Sequence, residues 1–351
     1  MTQMTNLKRM IGGLLSTTLI AGPALAEGSL NVLVWEGYAD QSFVSKFEEV
    51  SGCTVSATYV GSNDDFLPKL QAGGSSVYDL LSVSADATPI LIAAGLVEEI
   101  DTDRISNWDQ IYESFRADPS INVDGTVYGV PLQWSANPFI YRTDKITTPP
   151  TSIAELWKPE YAGKVGMWDD KSSLFNTARM MGFADPFNMS DEELEAVKAK
   201  LLEQKPLIRK YWSTAGELTN LMASGEIYIS YTWGGLMLGE LEKLGIPAAE
   251  FTPVEGADGW IDNWMLVKDT PNTDCAYKYM EYMNSPEGQC AVSGVTGYWP
   301  SNPEAASCMT EEEIAEKHVG DTDILKSLAM WQTPARPVEY ADTWNAVKAA
   351  P

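Results

Sequence analysis

Short apolar strands alternate with amphipathic helices over the first third of the chain, and this alternation limits the possible folds more than any other feature. The pattern predicts strands over Leu30 to Trp35, Val55 to Val60 and Tyr78 to Val83. Asp40 is placed to cap a helix with Phe43, Val44, Phe47 and Val50 on one face, and a second helix ends near Lys69-Leu70 before Gly73-Gly74. A βαβαβ order indicates an α/β fold, whose ligands bind at the carboxyl ends of the strands. Trp35 and Ser84 lie at such ends.

The rest of the chain predicts a second unit connected to the first by strands. Two strand-like runs surround Gln133-Trp134, and further strands are predicted over Glu226 to Trp233 and Trp264 to Val267. Helix-start signals follow in charged sequence, among them the capping box of Ser190 with Glu193. A length of 351 residues suits two domains. Since the sequence has no long linker, two α/β lobes joined by strand crossovers are expected.

Residues 1–26 have the layout of a signal peptide. Lys8 and Arg9 precede an apolar stretch from Met10 to Ala21, and Ala24-Leu25-Ala26 fits a cleavage site. The stretch is too short to span a bilayer, so we expect a periplasmic protein without membrane insertion. Without the leader the chain has 22 basic and 49 acidic residues, a formal charge of −27. Such a surface repels nucleic acid and anionic lipid.

Four cysteines in an exported protein predict disulfides. Cys53, Cys275, Cys290 and Cys308 allow two bridges in three connectivities. Because Cys275 and Cys308 flank one helical stretch and its following loop, the pairing Cys275–Cys308 with Cys53–Cys290 is predicted. Four free buried thiols would also fit the sequence.

Residues for common enzyme chemistry are absent from the sequence. The one histidine, His318, stands in an acidic helix, so neither a catalytic triad nor a zinc ligand set is indicated. No Gly-x-Ser-x-Gly, Walker or Rossmann glycine pattern occurs, and Asp101 to Asp103 lack the spacing of a calcium loop. We therefore predict neither an enzyme nor a bound cofactor or metal.

Aromatic residues with nearby acids recur at predicted strand ends. The clusters are Trp35-Glu36-Gly37-Tyr38 and Trp260-Ile261-Asp262, with Trp168 before Asp169-Asp170 and Trp233 at a strand end. An indole face attracts a cation, and a carboxylate supplies the counter-charge. A pocket built of both is typical of a protein that captures a small organic amine.

Several segments resemble the periplasmic substrate-binding proteins of ABC transporters, in particular the spermidine/putrescine-binding family. The similarity covers nearly the whole mature sequence. The more diagnostic segments are Leu156-Trp157-Lys158-Pro159-Glu160-Tyr161 and the run Gly297-Tyr298 with Pro300 and Asn302. The resemblance implies a type II periplasmic binding protein fold, two α/β lobes with a ligand cleft and strand crossovers at the hinge. It also implies an inner-membrane permease as the partner, and we expect a monomer.

The resemblance further implies lobe boundaries and ligand contacts. Lobe 1 would comprise 27–134 and 262–306, and lobe 2 would comprise 135–261 and 307–351. Asp262 would bind an ammonium group, Trp233 and Trp260 would sandwich the methylene chain, and Asp170 would hold a distal amine. The other implied contacts are Trp35, Tyr38, Ser84, Tyr298 and Gln332, with Glu36 as an addition.

This chain departs from the polyamine pattern at two positions. Ser173 stands where a second acid is expected three residues after Asp170. Asp86 stands two residues after Ser84, where an aromatic is expected, and is predicted as a further ligand contact. A diamine, a quaternary amine and an amino-acid-like zwitterion therefore all remain candidate ligands. The sequence is also compatible with a ferric-ion receptor using Tyr228 and Tyr231, a glycoside hydrolase using Asp169-Asp170 and Asp262, and a structural or signalling periplasmic protein.

Overall fold

The computed structural model describes residues 28–351, so the predicted signal peptide lies outside the described residues. The strands are, in chain order, β1 (Gly28–Val34), β2 (Cys53–Tyr59), β3 (Leu80–Ser84), β4 (Asn122–Val123), β5 (Thr126–Val127), β6 (Val130–Asn137), β7 (Phe139–Arg142), β8 (Val165–Trp168), β9 (Ile208–Trp212), β10 (Ile229–Tyr231), β11 (Ala248–Phe251), β12 (Ala257–Leu266), β13 (Trp299–Pro300) and β14 (Leu328–Met330). The α-helices are α1 (Gln41–Ser51), α2 (Phe66–Gly73), α3 (Thr88–Ala93), α4 (Glu113–Arg116), α5 (Ser172–Met180), α6 (Asp191–Gln204), α7 (Ala215–Ala223), α8 (Leu236–Lys243), α9 (Thr273–Asn284), α10 (Pro286–Thr296), α11 (Glu311–Glu316) and α12 (Pro337–Ala349).

The predicted βαβαβ segment forms one side of a large sheet with the order β13-β6-β12-β3-β1-β2, in which β14 also pairs with β12. β1 is parallel to both β2 and β3, whereas β12 is antiparallel to β3 and β6. The carboxyl ends of β1 and β3 therefore meet at one edge, as predicted. The N–H of Trp35 donates to Ser82 Oγ there, at 3.2 Å.

The helix between β1 and β2 forms for the predicted reason. The Asp40 side chain accepts from the Ser42 N–H at 2.9 Å and caps α1, while Phe43, Val44 and Phe47 are buried. The prediction for Val50 was wrong, because this residue is 70% exposed. It lies in the last turn of α1, where the buried face of the helix has ended.

A second sheet, with the order β11-β7-β10-β8-β9, is reached through Pro138, the residue between β6 and β7. Proline has no N–H to continue a ladder, so it ends one strand before the next begins. The chain returns to the first sheet between β11 and β12. We call the first sheet with its helices the first lobe and the second sheet with its helices the second lobe.

The two-lobed α/β architecture is confirmed. The predicted boundaries at 134/135 and 261/262 fall inside β6 and β12, which pair with each other at these positions. The assignment of residues to lobes by those boundaries stays a prediction. β12 is also longer than expected, because it includes Trp260 and Asp262 as well as the predicted strand from Trp264.

The predicted disulfide pairing was wrong. Cys53 bonds Cys275, with Cα atoms 5.9 Å apart, and Cys290 bonds Cys308, with Cα atoms 6.4 Å apart. Cys53 begins β2 and Cys275 lies in α9, which packs beside β1, so the tertiary fold brings them together. Cys290 in α10 lies close to the short 3-10 segment that contains Cys308, only 18 positions later.

Candidate functional site

A small cavity of about 20 Å³ lies between the two lobes and is lined mainly by indole rings. This volume has room for about one water molecule, so an organic ligand would require the rings or the lobes to move apart. The residues that line it are Trp35, Ser84, Asn137, Trp168, Trp233, Trp260, Asp262, Tyr298 and Trp331. Six of them are predicted contacts, namely Trp35, Ser84, Trp233, Trp260, Asp262 and Tyr298.

Asp262 is the acid of this cavity, and its position follows from strand pairing. The register of β12 against β3 places Asp262 opposite Ser84. Its Oδ1 accepts from the Ser84 hydroxyl at 2.5 Å and its Oδ2 from the Tyr38 hydroxyl at 2.7 Å. Tyr38, which was predicted as a ligand contact, therefore holds the carboxylate of Asp262 by a hydrogen bond.

The charge state of Asp262 depends on what fills the cavity. Asp262 is only 4% exposed, and burial raises its pKa to about 7, although the hydrogen bonds from Ser84 and Tyr38 act in the opposite direction. Burial, followed by the charge of Asp262, raises the pKa of Tyr38 and of Tyr298, so both phenols stay neutral donors. No lysine, arginine or histidine among residues 28–351 forms an ion pair with Asp262 in the structure. A cationic ligand would supply the missing charge.

Three indoles form a cluster on one wall. The ring centroids of Trp35 and Trp233 are 5.8 Å apart, those of Trp35 and Trp168 are 6.0 Å apart, and those of Trp168 and Trp233 are 5.4 Å apart. Trp331 stacks on Trp168 at 5.8 Å with an interplanar angle of 22°. These rings sit at or just after the ends of β1, β8, β10 and β14, where strand geometry converges.

The opposite part of the wall pairs Trp260 with Tyr298, whose ring centroids are 4.7 Å apart. Trp260 precedes Asp262 by two positions on β12, so both side chains point to the same face of the sheet. Trp233 and Trp260, which were predicted to enclose a methylene chain, line the same cavity. Their contact with a methylene chain stays a prediction.

Asp86 and Asp170, both predicted ligand contacts, lie in a buried polar cluster beside the cavity. Lys171 Nζ is 2.8 Å from Asp64 Oδ1 and 3.4 Å from Asp86 Oδ2. Asp170 accepts from the Ser62 hydroxyl at 2.6 Å and from the N–H of Ser172 at 2.8 Å. Neither acid is among the residues that line the cavity between the lobes. Their roles as ligand contacts stay predictions.

Burial and charge oppose each other in this cluster. Burial lowers the pKa of Lys171, but the charges of Asp86, Asp170 and Asp64 outweigh it, so the pKa of this ammonium stands above its ordinary value. Burial raises the pKa of Asp86 to about 7 against the attraction of Lys171. We expect Lys171 to carry its charge, because three carboxylates surround it.

The remaining two predicted contacts lie outside the cavity. Glu36 Oε2 accepts from the N–H of Ala215 at 2.6 Å, at the start of α7, where the helix dipole favours a negative charge. Partial burial raises the pKa of Glu36. Gln332 is exposed, whereas its neighbour Trp331 lines the cavity.

The lobes touch each other directly around the cavity. The indole N–H of Trp168 in the second lobe donates to the Gly61 carbonyl in the first at 2.7 Å. The bonds from Ser62 to Asp170 and from Ala215 to Glu36 also connect the lobes. The structure is therefore that of a closed cleft.

Three lining residues were missing from the predicted site. Trp168 was noted beside Asp169 but had no predicted contact, and Trp331 had none either, although its neighbour Gln332 did. Asn137 has no signal in the sequence, since an amide at a strand end is common. It donates from Nδ2 to the Tyr231 hydroxyl at 2.9 Å.

The structure gives little support to the other candidate functions. Asp169 accepts from the Trp344 indole at 3.0 Å and pairs with Lys348 at 2.6 Å, outside the cavity, so it forms no acid/base pair with Asp262. Tyr231 is buried and donates to Asp258 at 3.0 Å. The described residues include no group of three or more histidine, cysteine, aspartate or glutamate side chains placed to hold a metal ion. Among residues 28–351 no helix combines the length and apolar character needed to cross a bilayer.

Comparison with known proteins agrees with this architecture. Residues 42–319 match the family of bacterial extracellular solute-binding proteins. The spermidine/putrescine-binding periplasmic protein 1 of Haemophilus influenzae is 25% identical over 88% of this chain and 85% of its own length. The putrescine/agmatine-binding protein of Pseudomonas aeruginosa is 26% identical over 83% of each chain.

A solved structure extends the comparison to the fold. A putative spermidine/putrescine ABC transporter protein from Listeria monocytogenes superposes with a TM-score of 0.81 at 22% identity, over 92% of this chain and 99% of that one. The similarity expected from the sequence segments is thus confirmed across nearly the whole described chain. The chain belongs to the bacterial extracellular solute-binding proteins.

Proposed function

We propose that this protein is a periplasmic solute receptor that captures a small organic amine and delivers it to the permease of an ABC transporter. The observation that carries the proposal is Asp262, a buried carboxylate with no cationic partner among residues 28–351, in an indole-lined cavity between two lobes. The relatives named for putrescine and spermidine support an amine of that kind as the ligand.

The energetics favour a cation at this position. An isolated buried carboxylate is costly, and an ammonium group that pairs with it removes that cost. A charge-assisted hydrogen bond contributes about 1.5–3 kcal/mol, and a cation over an indole face adds about 0.5–2 kcal/mol. One such bond with two or three aromatic contacts contributes about 2.5–9 kcal/mol, and burial of the methylene groups of the ligand adds about 0.8 kcal/mol each, against the costs of association.

The transport role rests on family membership and the predicted leader. A permease has to distinguish the closed form of the receptor from the open form. The hydrogen bonds between the lobes at Glu36, Asp170 and Trp168 provide this distinction, because they require the lobes to be in contact. We propose the periplasm as the compartment, a monomer as the working state, and no catalytic step.

Isothermal titration with protein stripped of bound solute tests the proposal. Putrescine, spermidine, choline, betaine and γ-aminobutyrate form the panel, and at least one should bind with micromolar affinity or better. Asp262→Asn should weaken that binding about tenfold to 150-fold, because it removes a charge-assisted bond of about 1.5–3 kcal/mol.

Asp169→Asn is the matched control. Asp169 is a surface acid that pairs with Lys348, so the same chemical change there should leave the affinity unchanged. Absence of heat with every amine in the panel would refute amine capture. Equal affinities for the wild type and Asp262→Asn would refute the assignment of Asp262.

A further inference from the structure

A lysine of the protein already pairs with acids that lie near the cavity. Lys171 from the second lobe reaches across to Asp64 and Asp86 of the first. Lys171, Asp86 and Asp170 are each only 2% exposed, so this cluster is held inside the protein. A buried ammonium placed among carboxylates is chemically what the second ammonium of a diamine would be.

Three chain segments connect the lining of the cavity to this cluster. Ser84 lines the cavity and Asp86 follows two residues later; Trp168 lines it and Lys171 follows three residues later. After Trp331, the Thr333 hydroxyl donates to the Asp86 carbonyl at 2.7 Å.

At the other end of the cavity, the buried acid Asp258 also has a cationic partner. Asn137 lines the cavity and pairs in register with Asp258 on β12, four residues before Asp262, which is about 13 Å along the strand. Asp258 is fully buried and forms an ion pair with Arg179, and it also accepts from the Tyr231 hydroxyl at 3.0 Å. Asp262 is therefore the one acid among the described lining residues, whereas the neighbouring buried acids Asp86 and Asp258 each form an ion pair with a cation of the protein.

The unpaired polar atoms of the cavity are mostly donors. The indole N–H groups of Trp35, Trp233 and Trp331 are buried and have no hydrogen-bond partner in the described structure, and the same holds for the Oδ1 of Asn137. Buried donors normally have a partner, and a second ammonium would bring more donors to them instead of an acceptor. A carboxylate or carbonyl oxygen could accept from these indoles.

We propose that the ligand carries a single ammonium group, bound by Asp262, and a hydrogen-bond-accepting group at its other end, which meets the indole N–H groups of Trp35, Trp233 and Trp331. Lys171 takes the place of a second ammonium and so selects against diamines. This inference rests on the proposed function and narrows its ligand class to short amines with an acceptor end, such as an amino acid with a terminal amine or its amide.

Titration calorimetry with four-carbon probes of equal length tests this selection. The probes are γ-aminobutyrate, 4-aminobutanamide and putrescine, which share one ammonium and differ at the other end. The wild type should bind γ-aminobutyrate or the amide about tenfold or more tightly than putrescine, because a second ammonium meets donors and the charge of Lys171.

Variants at Lys171 connect the selection to this side chain. Lys171→Met keeps the length of the chain and removes the charge, which leaves Asp64, Asp86 and Asp170 to attract a second ammonium. Putrescine should gain about tenfold relative to γ-aminobutyrate. Lys171→Arg should keep the wild-type preference. Lys164→Met changes a lysine of the same lobe that binds the Gly225 carbonyl, away from the cavity, and should change neither affinity.

The outcomes separate the two proposals. If wild-type protein binds putrescine more tightly than both acceptor-ended probes, the single-ammonium inference is wrong and amine capture stands. If no probe and no amine of the wider panel binds, amine capture itself is refuted. The wild-type ranking decides the inference even if Lys171→Met does not fold.

Discussion

Ligand affinity should fall steeply below neutral pH, because the group that binds the ammonium has to lose its proton first. Burial raises the pKa of Asp262 to about 7, so in the empty cavity at pH 6 most molecules carry a protonated Asp262. An ammonium ligand pairs only with the ionised form. Binding therefore releases a proton below pH 7 and releases none well above it.

The magnitude follows from that pKa. Relative to the plateau above pH 8, affinity should be about twofold weaker at pH 7, about tenfold weaker at pH 6 and about 100-fold weaker at pH 5, since each unit below the pKa costs about 1.4 kcal/mol. The groups that face the carboxylate, Tyr38, Ser84 and Tyr298, stay neutral over this range, so they add no slope.

Calorimetry in paired buffers measures both effects. At pH 6 the heat of binding in two buffers of different ionisation enthalpy, neither of them a primary amine, should show release of close to one proton, and at pH 8.5 the two heats should coincide. Equal affinity at pH 6 and pH 8 without proton release would refute the reasoning. If Asp262→Asn retained the slope, the titrating group would be Asp86, whose pKa burial also raises to about 7.

Three further predictions concern stability, the aromatic wall and the disulfides. Asp262→Asn should raise the unfolding free energy of the empty protein at pH 8 by about 2–4 kcal/mol, as measured by denaturant titration, because it removes an uncompensated buried charge; an unchanged or lower stability would contradict this. Trp233→Ala should weaken ligand binding by about 1–3 kcal/mol, because it removes an aromatic wall of the cavity and an indole N–H proposed to meet the acceptor end of the ligand. Trp157→Ala, whose indole N–H donates to the Lys200 carbonyl in the second lobe, should leave the affinity unchanged; equal affinities for the wild type and Trp233→Ala would contradict the role of this ring. Peptide mapping without reduction should link Cys53 to Cys275, and Cys53→Ser should lower stability by about 2–5 kcal/mol because this bridge closes a separation of 222 positions; a Cys275–Cys308 peptide would contradict the structure.

Local patterns in the sequence were enough to predict the first strands and helices and the parallel direction of those strands. The Asp40 cap, the buried face of α1 and the parallel pairing of β1 with β2 and β3 follow from residues a few positions apart. Because the carboxyl ends of neighbouring parallel strands lie side by side, Trp35 and Ser84 could be placed in one site. The capping box of Ser190 with Glu193 is formed at the start of α6 as predicted.

Contacts between distant segments could not be predicted in this way. Ser84 and Asp262 are 178 positions apart and meet only through the register of β12 against β3. The Cys53–Cys275 bridge depends on how α9 packs beside β1, and nothing in the spacing of the cysteines reports that packing.

The sequence by itself determined a two-lobed α/β protein with acids and indoles at its strand ends, because the spacing of apolar residues, the helix caps and the turns depend on residues only a few positions apart. Only the tertiary structure decided which acids keep a free charge. Lys171 and Arg179 form ion pairs with Asp86 and Asp258 across gaps of 85 and 79 positions, whereas the partners of Asp262 within the described part of the chain are two hydroxyl groups. Charge compensation in a buried site depends on distances of a few ångströms between segments, and sheet order and lobe closure set those distances.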